Sequence, residues 1–157
     1  MTYKLANRIH KVQPSFTLQM ATRAAEMRAE GIDVINFSVG EPDFNTPSHI
    51  IAAGKKAMDD GFTKYTAGPG MIEFRNAICE KLERENGITY EPSDILVSNG
   101  EKQSLYNVCQ ALFDEGDEVV VFRPYWVSFP EFVRLADAEP VLVETIAENN
   151  FEPNYND

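Results

Sequence analysis

The sequence is short of the residues that usually carry metal, disulfide or charge-relay chemistry. It contains two cysteines, two histidines and one tryptophan among 157 residues. Cys79 and Cys109 each lie in a helical pattern without a second cysteine or histidine at metal-ligand spacing, which leaves a disulfide framework and a zinc site unsupported. His10 and His49 have no partner pattern, so serine–histidine and cysteine–histidine catalysis are equally unsupported. We therefore expect reduced cysteines, no metal site and a cytoplasmic protein.

Positive charge is also scarce. The chain has 14 basic and 25 acidic residues, and its formal net charge is −11. Nucleic acid and anionic membranes both require a basic face, so we expect neither as a partner. No apolar run approaches the length of a membrane span, and residues 1–12 lack the apolar segment of a signal peptide. A local anion site is still compatible with this balance, because backbone N–H groups bind anions without net positive charge.

What is present is an ordinary apolar content of 43%, arranged in helical periods. Residues 15–30 show a polar stripe and residues 71–86 an apolar stripe, both at helical spacing. Gly31 and Gly87 are placed to end these helices. Thr46 is a good N-cap for a further helix with Pro47 in its first turn. Later helices are predicted over 101–113 and after residue 128, the second opened by a capping box of Ser128 and Glu131.

Three apolar segments alternate with the later helices and predict strands. They are residues 95–98, "EVVVF" at 118–122 and "EPVLVE" at 139–144. Near-continuous apolar strands joined by helices indicate a parallel β-α-β-α-β sheet covered on both faces. The predicted fold class is therefore α/β. Residues 34–40, "VINFSVG", are expected to form a short strand or an extended segment, and residues 1–14 resemble an arm that needs a surface to lie on.

The junction "ILVSNGEKQSL" passes from a strand to a helix through a single glycine. Parallel α/β sheets bind ligands beyond the carboxyl ends of their strands. The first N–H groups of the helix that starts near Glu101, together with the helix dipole, suit a phosphate, and Gly100 allows its close approach. Alternatively, Gly100 only relieves a tight turn, and Glu101 alone satisfies the dipole. The local pattern leaves both interpretations open.

Three further stretches offer candidate site residues, each with a simpler alternative. Trp126 follows a strand end, where its ring could stack on a planar cofactor or belong to the core. Gly40, in "VGEPDF", could donate its N–H to a carboxylate or serve a plain turn. Tyr65, in "KYTAGPG", lies in a glycine-rich loop that is equally consistent with a solvated loop.

Four motifs follow one another along the chain: "VINFSVGEPDFNTP", "KYTAGPGMIEFRNAI", "VSNGEKQSLYN" and "DEVVVFRPYWVSFPEFV". In this order and spacing they resemble the class I/II aminotransferases, pyridoxal-phosphate enzymes of fold type I, and most of all their bacterial aspartate aminotransferase branch. The resemblance runs from about residue 7 to the end of the chain. It implies the family's large-domain fold, with pyridoxal 5'-phosphate as cofactor and an amino acid and a 2-oxo acid as substrates.

The resemblance also implies roles for individual residues. Gly100, Glu101 and Lys102 match the turn that binds the cofactor phosphate, although the family commonly has a small residue at the position of Glu101. Trp126 matches the aromatic that stacks on the cofactor ring, beside the substrate.

Four other positions correspond to family residues outside that turn. Gly40 matches the glycine that meets the substrate α-carboxylate. Tyr65 matches the tyrosine that reaches the phosphate of the neighbouring subunit of a homodimer. Ser15 and Thr17 fall where some relatives that use aspartate place hydroxyls near the substrate side-chain carboxylate.

Several family elements have no counterpart in the chain and are expected beyond Asp157. They are the Schiff-base lysine, the aspartate that pairs with the pyridinium nitrogen and the arginine that clamps the α-carboxylate. The sequence thus predicts residues 1–31 as a dimer arm and helix, and residues 32–157 as the first part of the cofactor-binding domain. We expect this segment alone to contain no catalytic residue and no transaminase activity.

Two alternatives share the same scaffold. Carbon–sulfur lyases and aminocyclopropane-carboxylate synthases of this fold have the same phosphate turn and aromatic platform. A non-catalytic phosphate-binding module could also use a β-α-β-α-β unit.

Overall fold

The computed structural model describes residues 3–154, and the expected boundary at Asp157 lies outside the described residues. Within this range the chain forms helices and a small sheet. Their bounds in chain order are α1 Phe16–Ala29, α2 Ser48–Asp59, α3 Ile72–Asn86, α4 Glu101–Leu112, β1 Glu118–Phe122, α5 Phe129–Leu135 and β2 Glu139–Val143. None of the described helices has the length and apolar character that crossing a membrane requires.

The chain divides into two compact units. One contains residues 3–40 together with 102–154, and the other contains residues 41–101. The first unit holds α1, most of α4 and the β1–α5–β2 segment. The second holds α2, α3 and the loops around them. The predicted division at residue 31 concerns the complete family fold and stays a prediction.

In the first unit, β1 and β2 pair in parallel, with α5 as the crossover between them. The register runs from Glu118 opposite Glu139 to Phe122 opposite Val143. The predicted α/β class, with a parallel β-α-β unit, is confirmed. Burial of β1 alternates, because Val121 is buried while its neighbours Val120 and Phe122 are half exposed. The prediction of a strand covered on both faces is therefore wrong for β1 among the described residues.

Helix α5 supplies the core beneath this sheet. Phe132 and Val133 of this helix and Ala136 at its C-cap are buried, whereas Phe129 at its start is half buried. The predicted capping box is wrong: Ser128 occupies the N-cap position without a side-chain hydrogen bond. Its expected partner Glu131 instead accepts hydrogen bonds from Arg134 Nη1 at 2.6 Å and from the backbone N of Gln13 at 2.9 Å.

Two helices outside the sheet begin and end close to their predicted positions. Ser15 is the N-cap of α1, and its Oγ accepts the N–H of Leu18 at 3.4 Å. Helix α3 ends at Gly87. The predicted N-cap of α2 is off by one residue, because the helix starts at Ser48 and Pro47 takes the cap position without a capping side chain.

Residues 95–98 are extended but form no strand, which corrects the prediction of a third strand. The sheet within residues 3–154 has two strands. A strand is defined by a partner, and the segment makes a different contact: the N–H of Val97 donates to the carbonyl of Pro69 at 2.9 Å. Residues 34–40 likewise form no strand, and the chain bends at Ser38, whose N–H donates to Asn36 Oδ1 at 2.9 Å.

The N-terminal arm lies on α5 of its own unit. Lys11 Nζ is 2.8 Å from Asp137 Oδ1, and Gln13 donates its N–H to Glu131. The short 3-10 turn at Asn7–His10 also packs against α5. The arm, for which the sequence predicts a surface to lie on, therefore contacts α5 of its own chain.

Candidate cofactor and substrate site

Trp126 lies in the turn between β1 and α5, at the carboxyl end of β1. Two neighbouring rings meet it edge-on: Phe129, with centroids 5.6 Å apart, and Phe132, with centroids 6.1 Å apart. Such edge-to-face contacts are a favourable arrangement of aromatic rings and help to fix the position of the indole. The side chain remains 41% exposed. Trp126 is thus a supported aromatic surface rather than a core residue.

Lys102 lies in the first turn of α4 and reaches this ring. Its Nζ is 4.7 Å from the Trp126 ring centroid and 3.5 Å from Ser128 Oγ. A cation within about 6 Å of an indole face is attracted by the ring quadrupole. The first unit therefore brings together a positive charge, a hydroxyl and a half-exposed indole.

Gly100 belongs to the second unit, directly before the start of α4, and adopts a φ of +78°. Residues with a Cβ are sterically strained in this left-handed region, whereas glycine is not. A Cβ built there meets nothing within 4 Å, so the conformation of the backbone, rather than crowding, requires glycine at this position. Its N–H donates to Ser98 O at 2.9 Å, and Glu101 is the first residue of the helix. This geometry is compatible with both interpretations of the turn.

Ser15 and Thr17 belong to the first unit. Ser15 lines a cavity of about 470 Å³ whose other residues come from the arm and from the segment after β1, including Tyr125 and Ser128. Its hydroxyl is already the N-cap acceptor of α1. Thr17 is the second residue of that helix and is half buried.

Gly40 and Tyr65 are the remaining sequence-predicted residues. Gly40 ends an irregular segment of the first unit, and a Cβ built there meets nothing within 4 Å. Tyr65 lies in a loop of the second unit, where its side chain is fully exposed.

The electrostatics around Trp126 are those of a partly apolar site. An apolar cavity of about 410 Å³ beside Trp126 is lined by residues of α4, β1 and α5, Cys109 among them. Burial raises the pKa of the Cys109 thiol, which keeps it neutral and unreactive.

At the end of β1, the Glu144 carboxylate accepts a hydrogen bond from Arg123 and raises the pKa of that guanidinium. Within residues 3–154, no group of three His, Cys, Asp or Glu side chains could hold a metal ion.

The donor set fits a planar cofactor that carries a phosphate. The Lys102 ammonium complements a phosphate dianion, and the half-exposed indole of Trp126 complements an aromatic ring. Both side chains are held by contacts within one unit. The carboxylate of Glu101 at the helix start is the one group of this turn whose charge opposes a phosphate.

Two contributors were not predicted from the sequence. The side chain of Lys102 lies over the indole, whereas the sequence suggests a role only for its backbone turn. Ser128, predicted as a helix cap, lies beside Lys102 Nζ instead. No local pattern indicates either contact, because Lys102 and Trp126 are 24 residues apart and meet only through the fold.

Comparison with known proteins agrees with this geometry. Residues 32–157 match the family model of aminotransferase class I and II. The chain is 49% identical over 149 residues to an aspartate aminotransferase of Bacillus subtilis, covering 95% of this chain and 38% of the relative. It is 48% identical over 148 residues to an aspartate/prephenate aminotransferase of Cereibacter sphaeroides, covering 94% and 37%.

A solved structure of Thermus thermophilus aspartate aminotransferase with maleate superposes with a TM-score of 0.92. The two proteins are 43% identical, and the match covers 98% of this chain and 40% of that one. The chain thus spans about two fifths of the length of these relatives. Since the family model covers most of its residues, this chain belongs to the class I and II aminotransferases.

Proposed function

We propose that the protein is the N-terminal part of a pyridoxal-phosphate-dependent aminotransferase that moves an amino group from an aspartate-like amino acid to a 2-oxo acid. The observation that carries this proposal is the placement of the Lys102 ammonium 4.7 Å from the Trp126 ring centroid. A phosphate and an aromatic ring are the two ends of pyridoxal phosphate, and these two side chains complement one end each.

In this proposal the turn of Gly100, Glu101 and Lys102 binds the cofactor phosphate, and Trp126 supports the ring. The bound cofactor supplies the electron sink that stabilises negative charge at the substrate α-carbon. The contribution of this chain is to orient: Phe129 and Phe132 hold the indole edge-on, so its face is set before the cofactor arrives. The cavity beside Trp126 is lined mainly by apolar side chains, which suit the apolar parts of a ring.

Substrate contacts are proposed for three residues of the first unit. The N–H of Gly40 would bind the α-carboxylate, and the hydroxyls of Ser15 and Thr17 would lie near the side-chain carboxylate. The cavity beside Ser15 supports a polar group at that position. The relatives are named for aspartate and prephenate, which suits an acidic donor or acceptor.

A homodimer and a cytoplasmic location complete the proposal. The full exposure of Tyr65 supports a role toward a neighbouring subunit, whose cofactor phosphate it would contact. Both cysteines are free, as is usual in a reducing compartment.

Titration with pyridoxal phosphate tests the proposal, with pyridoxal as the matched ligand that lacks the phosphate. Trp126 is the one tryptophan of the sequence, so its fluorescence reports directly on the ring platform. We expect pyridoxal phosphate to quench this fluorescence at lower concentrations than pyridoxal. Equal concentration dependence for both ligands, or no quenching, would contradict the proposed site.

A further inference from the structure

The loop that carries Tyr65 and the segment that leads to Gly100 meet at one close contact in the second unit. Gly70 has a φ of +104°, and a Cβ built on it would lie 2.6 Å from Val97 Cγ2 and 2.8 Å from Val97 Cβ. Heavy atoms do not approach so closely, so this position tolerates only glycine while Val97 stays in place.

Backbone hydrogen bonds strengthen the same contact. The N–H of Val97 donates to Pro69 O at 2.9 Å, and the N–H of Gly70 donates to Ala67 O at 2.9 Å, closing a turn over residues 67–70. Residues 95–98 belong to no strand within the described chain. Within the described chain, the loop therefore satisfies the backbone N–H of Val97.

A second anchor lies upstream on the same segment. Arg75 Nη1, on α3, donates to Pro92 O at 2.8 Å. The segment from Pro92 to Gly100 is thus held at its start by Arg75 and near its end by Gly70. Three residues after Val97, Gly100 adopts the left-handed conformation that starts α4.

We propose that Gly70 is a positioning residue for the phosphate-binding turn, acting through its contact with Val97. The contact joins the Tyr65 loop to the Gly100 turn. Because both elements are proposed to bind cofactor phosphates, the contact keeps two phosphate-binding elements in a fixed arrangement. This inference rests on the proposed function for its ligand, but the contact itself can be tested without any ligand.

Amide hydrogen exchange of the full chain tests the contact between Gly70 and Val97. In Gly70→Ala the new methyl must displace Val97, and the strain speeds exchange of the Val97 N–H about tenfold or more. Gly68→Ala is the matched control, since Gly68 lies in the same loop with open space around it and no positive φ. Exchange at residues 97–100 that stays within about twofold of the original chain in Gly70→Ala would overturn the proposal.

A double variant distinguishes a specific clash with Val97 from a general failure of the Gly70→Ala chain to fold. Gly70→Ala combined with Val97→Gly removes both crowded atoms of residue 97 and is expected to regain part of the lost protection. The left-handed φ still strains the alanine, so recovery is incomplete. No recovery of protection, with Gly70→Ala folded by circular dichroism, would contradict a role through Val97.

Ligand titration separates positioning from general stability. We expect Gly70→Ala to lose affinity for pyridoxal phosphate about tenfold and to keep its affinity for pyridoxal, while Gly68→Ala retains both. An equal loss for the two ligands would overturn positioning of the phosphate turn. If the original chain does not prefer pyridoxal phosphate over pyridoxal, the proposed function is rejected. The exchange data would still show whether Gly70 holds Val97 and the Gly100 turn in place.

Discussion

Lys11 and Asp137 form an ion pair across 126 residues, with Nζ 2.8 Å from Oδ1. Asp137 directly follows the C-cap of α5 and adopts a φ of +62°, a conformation that aspartate and asparagine tolerate better than most residues. The pair fastens the N-terminal arm at the point where the helix ends. Ser15, proposed to contact substrate, follows four residues after Lys11 along the chain.

Neutralising Asp137 is expected to loosen the arm. Asp137→Asn keeps a residue suited to the left-handed conformation and removes only the charge. We expect trypsin to cut the chain at Arg8 faster in this variant, measured by mass spectrometry of timed digests. Asp60→Asn is the control, because Asp60 pairs with Lys56 near the end of α2, in the second unit. Equal acceleration in both variants would contradict the assigned role of the pair.

The ion pair also predicts a pH dependence of stability. The hydrogen bond from Lys11 lowers the pKa of Asp137, so the folded chain binds this proton less tightly than the unfolded chain. The stabilisation is therefore present above the unfolded carboxyl pKa, about 3.9, and is lost as pH falls through the lower folded value. Thermal midpoints of the original chain and Asp137→Asn should differ at pH 6 and converge near pH 2. A constant difference would mean that the charge is not its origin.

The sequence predicts the local features of this fold well. Helices α1 and α3 have their signals in adjacent residues, a serine cap at residue 15 and a glycine at residue 87. The parallel β1–β2 pair follows from two apolar runs separated by one helix.

The mistaken predictions concern groups with distant partners. Glu131 does not cap its helix because Arg134 and the backbone of Gln13, 118 residues away, hold both carboxylate oxygens. Residues 95–98 have the composition of a strand, but pairing depends on what lies alongside. The same limit applies to the site, where the sequence predicts the turn at Gly100 but not the position of the Lys102 side chain over Trp126.

Replacing Lys102 should change the surroundings of Trp126. Lys102→Met removes the cation and its attraction of about 0.5–1 kcal/mol, whereas Lys102→Arg keeps a cation that can lie over the ring. We expect the fluorescence spectrum of the one tryptophan to change in Lys102→Met and to stay close to the original in Lys102→Arg. Lys81→Met, a change on α3 in the other unit, controls for loss of charge alone. Unchanged fluorescence in Lys102→Met would contradict the contact.

The two candidate glycines should respond differently to alanine. Gly100→Ala places a side chain at a φ of +78° and should destabilise the chain by about 1–2 kcal/mol. Gly40 has neither a positive φ nor a close neighbour, so Gly40→Ala should leave stability nearly unchanged. Denaturant unfolding of both variants measures the difference. A large loss of stability in Gly40→Ala would point to a packing role that the structure does not contain.

The 157-residue chain is expected to show no turnover of aspartate and 2-oxoglutarate with added pyridoxal phosphate. A lysine becomes an effective nucleophile at neutral pH when burial or a neighbouring cation lowers its pKa. All seven lysines of the chain are exposed: 4, 11, 55, 56, 64, 81 and 102. None of them matches the family's Schiff-base lysine, so the chain would hold the cofactor without the group that starts the reaction.

Oxaloacetate formation measures turnover, with full-length Bacillus subtilis aspartate aminotransferase as the active control. Turnover that Lys102→Met abolishes would identify Lys102 as the reacting amine and reverse its assignment as a phosphate contact.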